Sequence, residues 1–324
     1  IITNFNQFKR SLFYNYIFIF VAFSALLTGF ISGYSAIIFI NFFISVALYL
    51  IMNRACIAKH CKRSYAILIA LPILLDILYF ALTGGHYKSL LIGSSYSHIS
   101  GVLLYLLVFI VLFYENCKKD TVLTILSMFL IIFAALWSGS RSSYFVVLMA
   151  TLFVFKILLR DYGNVRSLVL VVLAVLLAYS LIGNIHQESE VSKVYSFSLA
   201  KFYISDSYLD GTRYAIFHDF FSRGLGAILI PNIDYQPLMI EGLSVHNSFL
   251  KVIGISGILG IVYILMLFVR FVFLRKTIIF FGLSVTISSM LFFNDIGFLN
   301  SKFDFLLYLV FLSPYYGICK FKKR

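Results

Sequence analysis

Charged residues make up only 12% of this sequence, so the places where they gather with hydroxyl, amide and imidazole groups carry most of its chemical information. Three such places occur. The first is Trp137-Ser138-Gly139-Ser140-Arg141-Ser142-Ser143-Tyr144. Ser142 or Ser143 can cap a following helix, and Arg141 then lies beside backbone N–H groups at a positive helix end, a setting that favours phosphate. The bland alternative is an arginine snorkelling to lipid headgroups. The second place is Asp210-Gly211-Thr212-Arg213 and the helix that follows. Asp210 or Thr212 can cap that helix and Gly224 can end it, with Arg213, Ile216, Phe217 and Phe220 on one face. Arg213 in the first turn can point at a lipid-linked phosphate, or can simply pair with Asp210 or Asp219. Arg223 falls in the last turn, where a basic residue suits the helix dipole in any case.

The third place is Ser244-Val245-His246-Asn247-Ser248-Phe249-Leu250-Lys251. Imidazole is the side chain best suited to move a proton near neutral pH, although a lone interfacial histidine is more often structural. Asn247 can cap the apolar helix that follows. Lys251, about one turn further on, reads either as a functional charge inside the membrane or as a lysine snorkelling outward. Gly254, Gly257 and Gly260 then form a small-residue face suited to close helix packing.

The elements that must position these residues are apolar. Of 324 residues, 61% are hydrophobic, and the mean hydropathy is +0.98. The apolar residues fall in blocks long enough to cross a ~30 Å hydrocarbon core at about 1.5 Å per residue. Spans are expected at roughly 14–31, 34–52, 65–83, 99–115, 121–137, 142–159, 167–183, 247–269, 277–293 and 303–319. The expected fold class is therefore all-α: a polytopic transmembrane bundle of about ten spans forming one integral membrane domain over 1–324. Its one long connection, 184–245, reads as an outer loop that contains the amphipathic helix with Arg213. The first apolar block is followed by many others, so it reads as a span and not as a cleaved leader. The start at Ile1 leaves room for a trimmed N-terminus.

The net charge of +13 does not read as a nucleic-acid surface. Most basic residues, among them Lys9, Arg10, Arg54, Lys118, Arg160, Arg270, Lys276 and Lys322, flank alternate span ends. That is the positive-inside pattern, and it puts both termini in the cytoplasm and 184–245 outside. Cys56, Cys61, Cys117 and Cys319 then lie at or near the inner face, where disulfides are not expected. Cys56, His60 and Cys61 lack a second ligand pair, so no zinc site is expected. Asp76, four residues after Pro72 in the third span, is an intramembrane carboxylate that reads as helix packing or as proton coupling.

Taken in order, Ser138-Gly-Ser-Arg141-Ser, Gly211-Thr-Arg213 with Gly224-Leu-Gly226, and His246-Asn247-Ser-Phe-Leu with Gly257-Ile-Leu-Gly260 resemble the O-antigen ligase and O-antigen polymerase family. The resemblance is clearest over 121–270 and rests on the set and its order, since each motif alone is weak. Family members commonly have around twelve spans, where this chain reads as ten.

The resemblance implies a glycosyltransferase acting at the periplasmic side of a bacterial inner membrane. Its donor would be a glycan on undecaprenyl pyrophosphate, and its acceptor a second lipid-linked repeat or the lipid A core. It implies Arg141 and Arg213 on the pyrophosphate and His246 activating the acceptor or orienting the donor, with Asn247, Lys251 and Arg223 beside the substrate. Fixed guanidinium groups can stabilise a pyrophosphate leaving group without a metal. Glu188 with Glu190, and Asp206 with Asp210, look like solvated loop charges, so neither metal nor cofactor is expected. Membrane lipids and a chain-length regulator protein are the other partners implied.

The wording of the His246 motif looks more like the polymerase branch than the ligase branch. A flippase for lipid-linked sugars is the rival from another class, and a non-catalytic assembly subunit is a third.

Overall fold

The computed structural model describes residues 2–31, 36–55, 64–83, 96–117, 121–138, 142–162, 220–222, 224–231, 247–274, 276–293 and 301–313. Among these residues the regular structure is helical. In chain order the helices are α1 (Ile2–Ile31), α2 (Ala36–Ala55), α3 (Ser64–Leu82), α4 (Tyr96–Cys117), α5 (Thr121–Trp137) and α6 (Ser143–Tyr162). They continue as α7 (Gly224–Leu229), α8 (Ser248–Ser256), α9 (Ile258–Phe273), α10 (Ile278–Phe293) and α11 (Asp304–Leu312). Within α1, Phe13–Ile31 is long and apolar enough to cross a membrane, with a mean hydropathy of 1.8, and seven other helices carry shorter apolar stretches. The expected span at 167–183 lies outside the described residues.

The helices are apolar on both faces, and α2 shows what that means. Ile37, Ile40, Phe43, Leu48 and Ile51 line its exposed side, while Ser45 and Asn53 are buried. A surface helix of a water-soluble protein has the opposite arrangement, with an apolar stripe inward and polar groups outward. On α1, Phe13, Phe20 and Ile31 are likewise exposed, and Asn15 is buried.

The chain groups into two compact helical units. Unit 1 comprises Ile1–Ala55, Tyr203–Thr277 and Leu291–Arg324. In it α9 packs on α1, α8 and α11, and α2 packs on α1 and α11. Aromatic rings fill the junction: Phe18 meets Tyr263 at 5.3 Å and Tyr308 at 5.4 Å, and Tyr49 meets Tyr308 at 6.0 Å. The Tyr263 hydroxyl donates to that of Tyr308 at 3.2 Å, so the polar tips of these buried rings have partners.

Unit 2 comprises Cys56–Phe202 and Ile278–Met290. There α5 and α6 form an antiparallel pair that packs on α4, while α3 packs on α4 and α5. Gly282 of α10 lies against Met149 of α6, where an added Cβ would stand 3.2 Å from the sulfur. Inward-facing Leu74, Ile77 and Ala81 hold α3 to its neighbours. Asp76 lies on the exposed side of α3, away from that packed face.

The span expected at 247–269 is not one rod. Helix α8 has nine residues and stops at Gly257, whose φ is 57°, and α9 begins at the next residue. The Phe249 and Phe268 rings lie only 6.2 Å apart between centroids. In a continuous helix their Cα atoms would be about 28 Å apart at 1.5 Å per residue. Helix α8 therefore doubles back along α9, with Gly257 at the bend. A side chain at Gly257 would press into the Leu229 carbonyl, and a Cβ at Gly260 would stand 2.6 Å from the Val252 carbonyl oxygen. These glycines make a corner and the close approach after it, a correction to the straight small-residue face read from their spacing.

Candidate functional site

The corner at the end of α8 fixes where its other end goes. Asn247 takes an extended conformation (φ −149°, ψ 111°), and its Oδ1 accepts from the Leu250 N–H at 3.0 Å. Its carbonyl accepts from the Lys251 N–H at 3.0 Å. This is the N-cap anticipated from the sequence, with the side chain satisfying one of the donors that a helix start leaves open. Because α8 folds back, Asn247 sits beside the C-terminal half of α9 and is only 3% exposed. Lys251, half-buried, is nearer the corner. The order expected along a straight span, with Lys251 beyond Asn247 toward the far end of α9, is thus reversed.

Ser256 secures the corner by donating from its hydroxyl to the Ala25 carbonyl at 2.7 Å. The methyl of Ile255 fills the space over Gly29, which a Cβ there would invade. The α7 end lies on the other side of the corner, with the Leu229 carbonyl beside Gly257. Gly224 at the start of α7 has a φ of 80°, the left-handed conformation suited to ending the helical turn at 220–222. Phe220 in that turn is buried and Phe221 is exposed, while Arg213, Ile216 and Phe217, the rest of the expected stripe, lie outside the described residues.

Among the site residues expected from the sequence, Arg141, Arg213, Arg223 and His246 lie outside the described residues. So do the carboxylates Glu188, Glu190, Asp206 and Asp210. The structure does describe the two flanks of Arg141. Ser138 and Ser143 share a hydrogen bond at 2.8 Å, and Ser143 shares another with Ser100 at 2.8 Å. The Ser138 hydroxyl also lies 2.8 Å from the Ala135 carbonyl. All three serines are buried, as is Trp137, which meets Phe80 edge-on at 6.3 Å. The end of α5 and the start of α6 are therefore tied to each other and to α4 by hydroxyl groups. The hydroxyl of Ser143, one of the two caps proposed for α6, is engaged with these serines.

No family model, curated protein or solved structure matches this chain. The chemical reading therefore rests on the residues themselves. Among the described residues, no three His, Cys, Asp or Glu side chains gather to hold a metal ion.

Two features escaped the sequence reading. Asp304 is a buried carboxylate at the start of α11, accepting from the Ser301 N–H at 3.3 Å. The signal for it was Ser301-x-x-Asp304 ahead of an apolar run, a capping-box spacing. The other is a polar tie at the far end of α9 from the corner. The Lys276 ammonium donates to the Ser313 carbonyl at 2.5 Å, and the Ser313 hydroxyl donates to Asn53 Oδ1 at 2.6 Å. Burial, with Arg270 nearby, pushes Lys276 down to about 7. At the same end Arg270 lies 5.0 Å over the Tyr14 ring, whose hydroxyl donates to the Met266 carbonyl at 2.6 Å.

Proposed function

We propose that this chain is an integral membrane glycosyltransferase that polymerises lipid-linked polysaccharide repeat units at the periplasmic face of a bacterial inner membrane. In this reading the donor is a glycan on undecaprenyl pyrophosphate, the acceptor is a hydroxyl of a second lipid-linked unit, and both termini are cytoplasmic. The observation that carries it is the buried start of α8. In this reading the chain dips from the outer face into the apolar bundle, so that the capped helix end directly after His246 lies deep beside the C-terminal half of α9, where a lipid-borne phosphate is met within the membrane. The exposed apolar faces of α1 and α2, with Asn15, Ser45 and Asn53 buried, support the membrane setting, and the order of the Arg141, Arg213 and His246 motifs supports the glycan-transfer class.

Each residue has a distinct part in this scheme. Arg141 and Arg213 hold the pyrophosphate through bidentate hydrogen bonds and stabilise the charge that develops as it leaves. His246 accepts the proton of the attacking hydroxyl, or orients the donor for attack. Asn247, Lys251 and Arg223 complete the substrate contacts. The bond formed is glycosidic, the bond broken is that between the donor sugar and the pyrophosphate, and the hydroxyl proton leaves through His246.

Deleting the gene and resolving surface polysaccharide on a gel tests the class. A single repeat on the core is the expected result. Free lipid-linked polymer would indicate a ligase, and absence of lipid-linked material outside would indicate a flippase.

A further inference from the structure

The Asn247 carboxamide is divided in its bonding. Its oxygen caps α8 through Leu250, yet its Nδ2 is buried without a hydrogen-bond partner. A buried N–H group that gave up water for nothing is costly, and folded proteins rarely leave one so. The carboxamide lies over the first turn of α8, where the N–H groups of the helix point out of its end and make it electropositive. Helix α8 is a half-helix of nine residues, bent back at Gly257 so that this end lies beside α9 and not at the end of a span. A donor held in place by its own cap bond, at the positive end of a buried half-helix, is suited to an anionic oxygen.

We infer that Asn247 Nδ2 and the first turn of α8 form a binding subsite for a phosphate oxygen, with the carboxamide serving as cap and ligand donor at once. This deepens the site proposed above and rests on that membrane-level reading, but it concerns binding and not transfer. The dual role makes a clean test available, because the two functions of the side chain separate by substitution. Asn247→Asp keeps a cap oxygen and replaces the donor with a negative oxygen. Asn247→Ser also keeps a cap oxygen but withdraws the amide N–H2, since its single, shorter hydroxyl cannot stand where Nδ2 stands.

The experiment measures binding of farnesyl diphosphate to the full-length protein purified in detergent, with farnesol as the uncharged control and inorganic pyrophosphate as competitor. Wild type should bind farnesyl diphosphate well above farnesol. Asn247→Ser should weaken it roughly tenfold, and Asn247→Asp by about thirtyfold or more, with the thermal midpoints of both variants near wild type. Competition by pyrophosphate would assign a subsite open to free phosphate, and failure to compete one that reads phosphate only on a lipid. Wild-type affinity in Asn247→Asp, or no preference for farnesyl diphosphate over farnesol, would overturn the inference. Diphosphate binding that depends on Asn247 in a protein that forms no glycosidic bond would retire the transferase reading and leave this one standing.

Discussion

Phe249 and Phe268 bring their rings within 6.2 Å of each other, tilted by 43°, although they belong to two helices that the sequence joins into one apolar run. The contact exists because Gly257 lets the backbone turn between α8 and α9, and it places Asn247 inside unit 1. The corner is the structural basis of the candidate site, so it is the first thing to perturb. Gly257→Ala would force a side chain into a backbone with φ of 57° and against the Leu229 carbonyl. It should destabilise the protein by about 1–3 kcal/mol or more, seen as a lower thermal midpoint in detergent. Gly226→Ala is the control, since nothing lies within 4 Å of a Cβ there, and it should be neutral or slightly stabilising.

The segregation of basic residues predicts the orientation. A cysteine placed at Ser189 should be labelled by an impermeant thiol reagent in intact cells, and one placed at Lys59 should not. The opposite pattern would put Arg213 and His246 inside and remove the periplasmic reading altogether.

Arg141 and Arg213 should tolerate lysine poorly. A guanidinium presents a planar fork to a phosphate where an ammonium presents a point charge. Polymer made in cells should therefore fall nearly as far with Arg→Lys as with Arg→Ala at either position, at unchanged protein level in the membrane. Near-normal polymer from the lysine variants would reduce the role to bulk charge.

Lys276 gives a pH signature at the other end of α9. Its folded pKa, about 7, is below the ordinary 10.5, so the folded state disfavours the charged form. Above pH 10.5 the amine is neutral in both states and nothing is lost. As pH falls toward 7 the unfolded chain binds the proton first, and stability declines by at most about 1.4 kcal/mol per pH unit. Thermal midpoints measured at pH 9, 8 and 7 should drop in that order, and Lys276→Met should flatten the trend. An unchanged slope in that variant would place the titrating group elsewhere.

What the sequence discloses and what it hides follow from the same physics. Helices α2 to α6 coincide closely with apolar runs, because in such runs length and hydropathy alone determine a helix, whereas α1 begins at Ile2, ahead of the span expected at 14–31. The break at Gly257 was hidden for that very reason. Residues 252–269 carry no charge, and three glycines at three-residue spacing fit a packing face as well as a corner. Only the positive φ at Gly257 separates the two. Asn247 was legible because capping is local chemistry, readable from the residue type at a helix start. Asp304 falls at the edge of the apolar run expected as a span over 303–319, and its cap-like partner Ser301 lies outside that run. The ladder of Ser100, Ser138 and Ser143 joins three helices, and no local pattern announces a contact of that kind.

The most direct test of the central claim is transfer in a defined system. Purified protein is mixed in detergent with lipid-linked repeat units, and new glycosidic bonds are followed by the lengthening of the glycan. Wild type should extend the chains, while His246→Ala should lower the rate by about 10²–10⁴-fold with donor binding retained, the usual contribution of a positioned general base. His246→Gln, which can hydrogen-bond but cannot take up the proton, should behave like the alanine variant, and recovery with Gln would make His246 an orienting group only. If wild-type protein binds the lipid-linked units and forms no new glycosidic bond, the glycosyltransferase account is wrong.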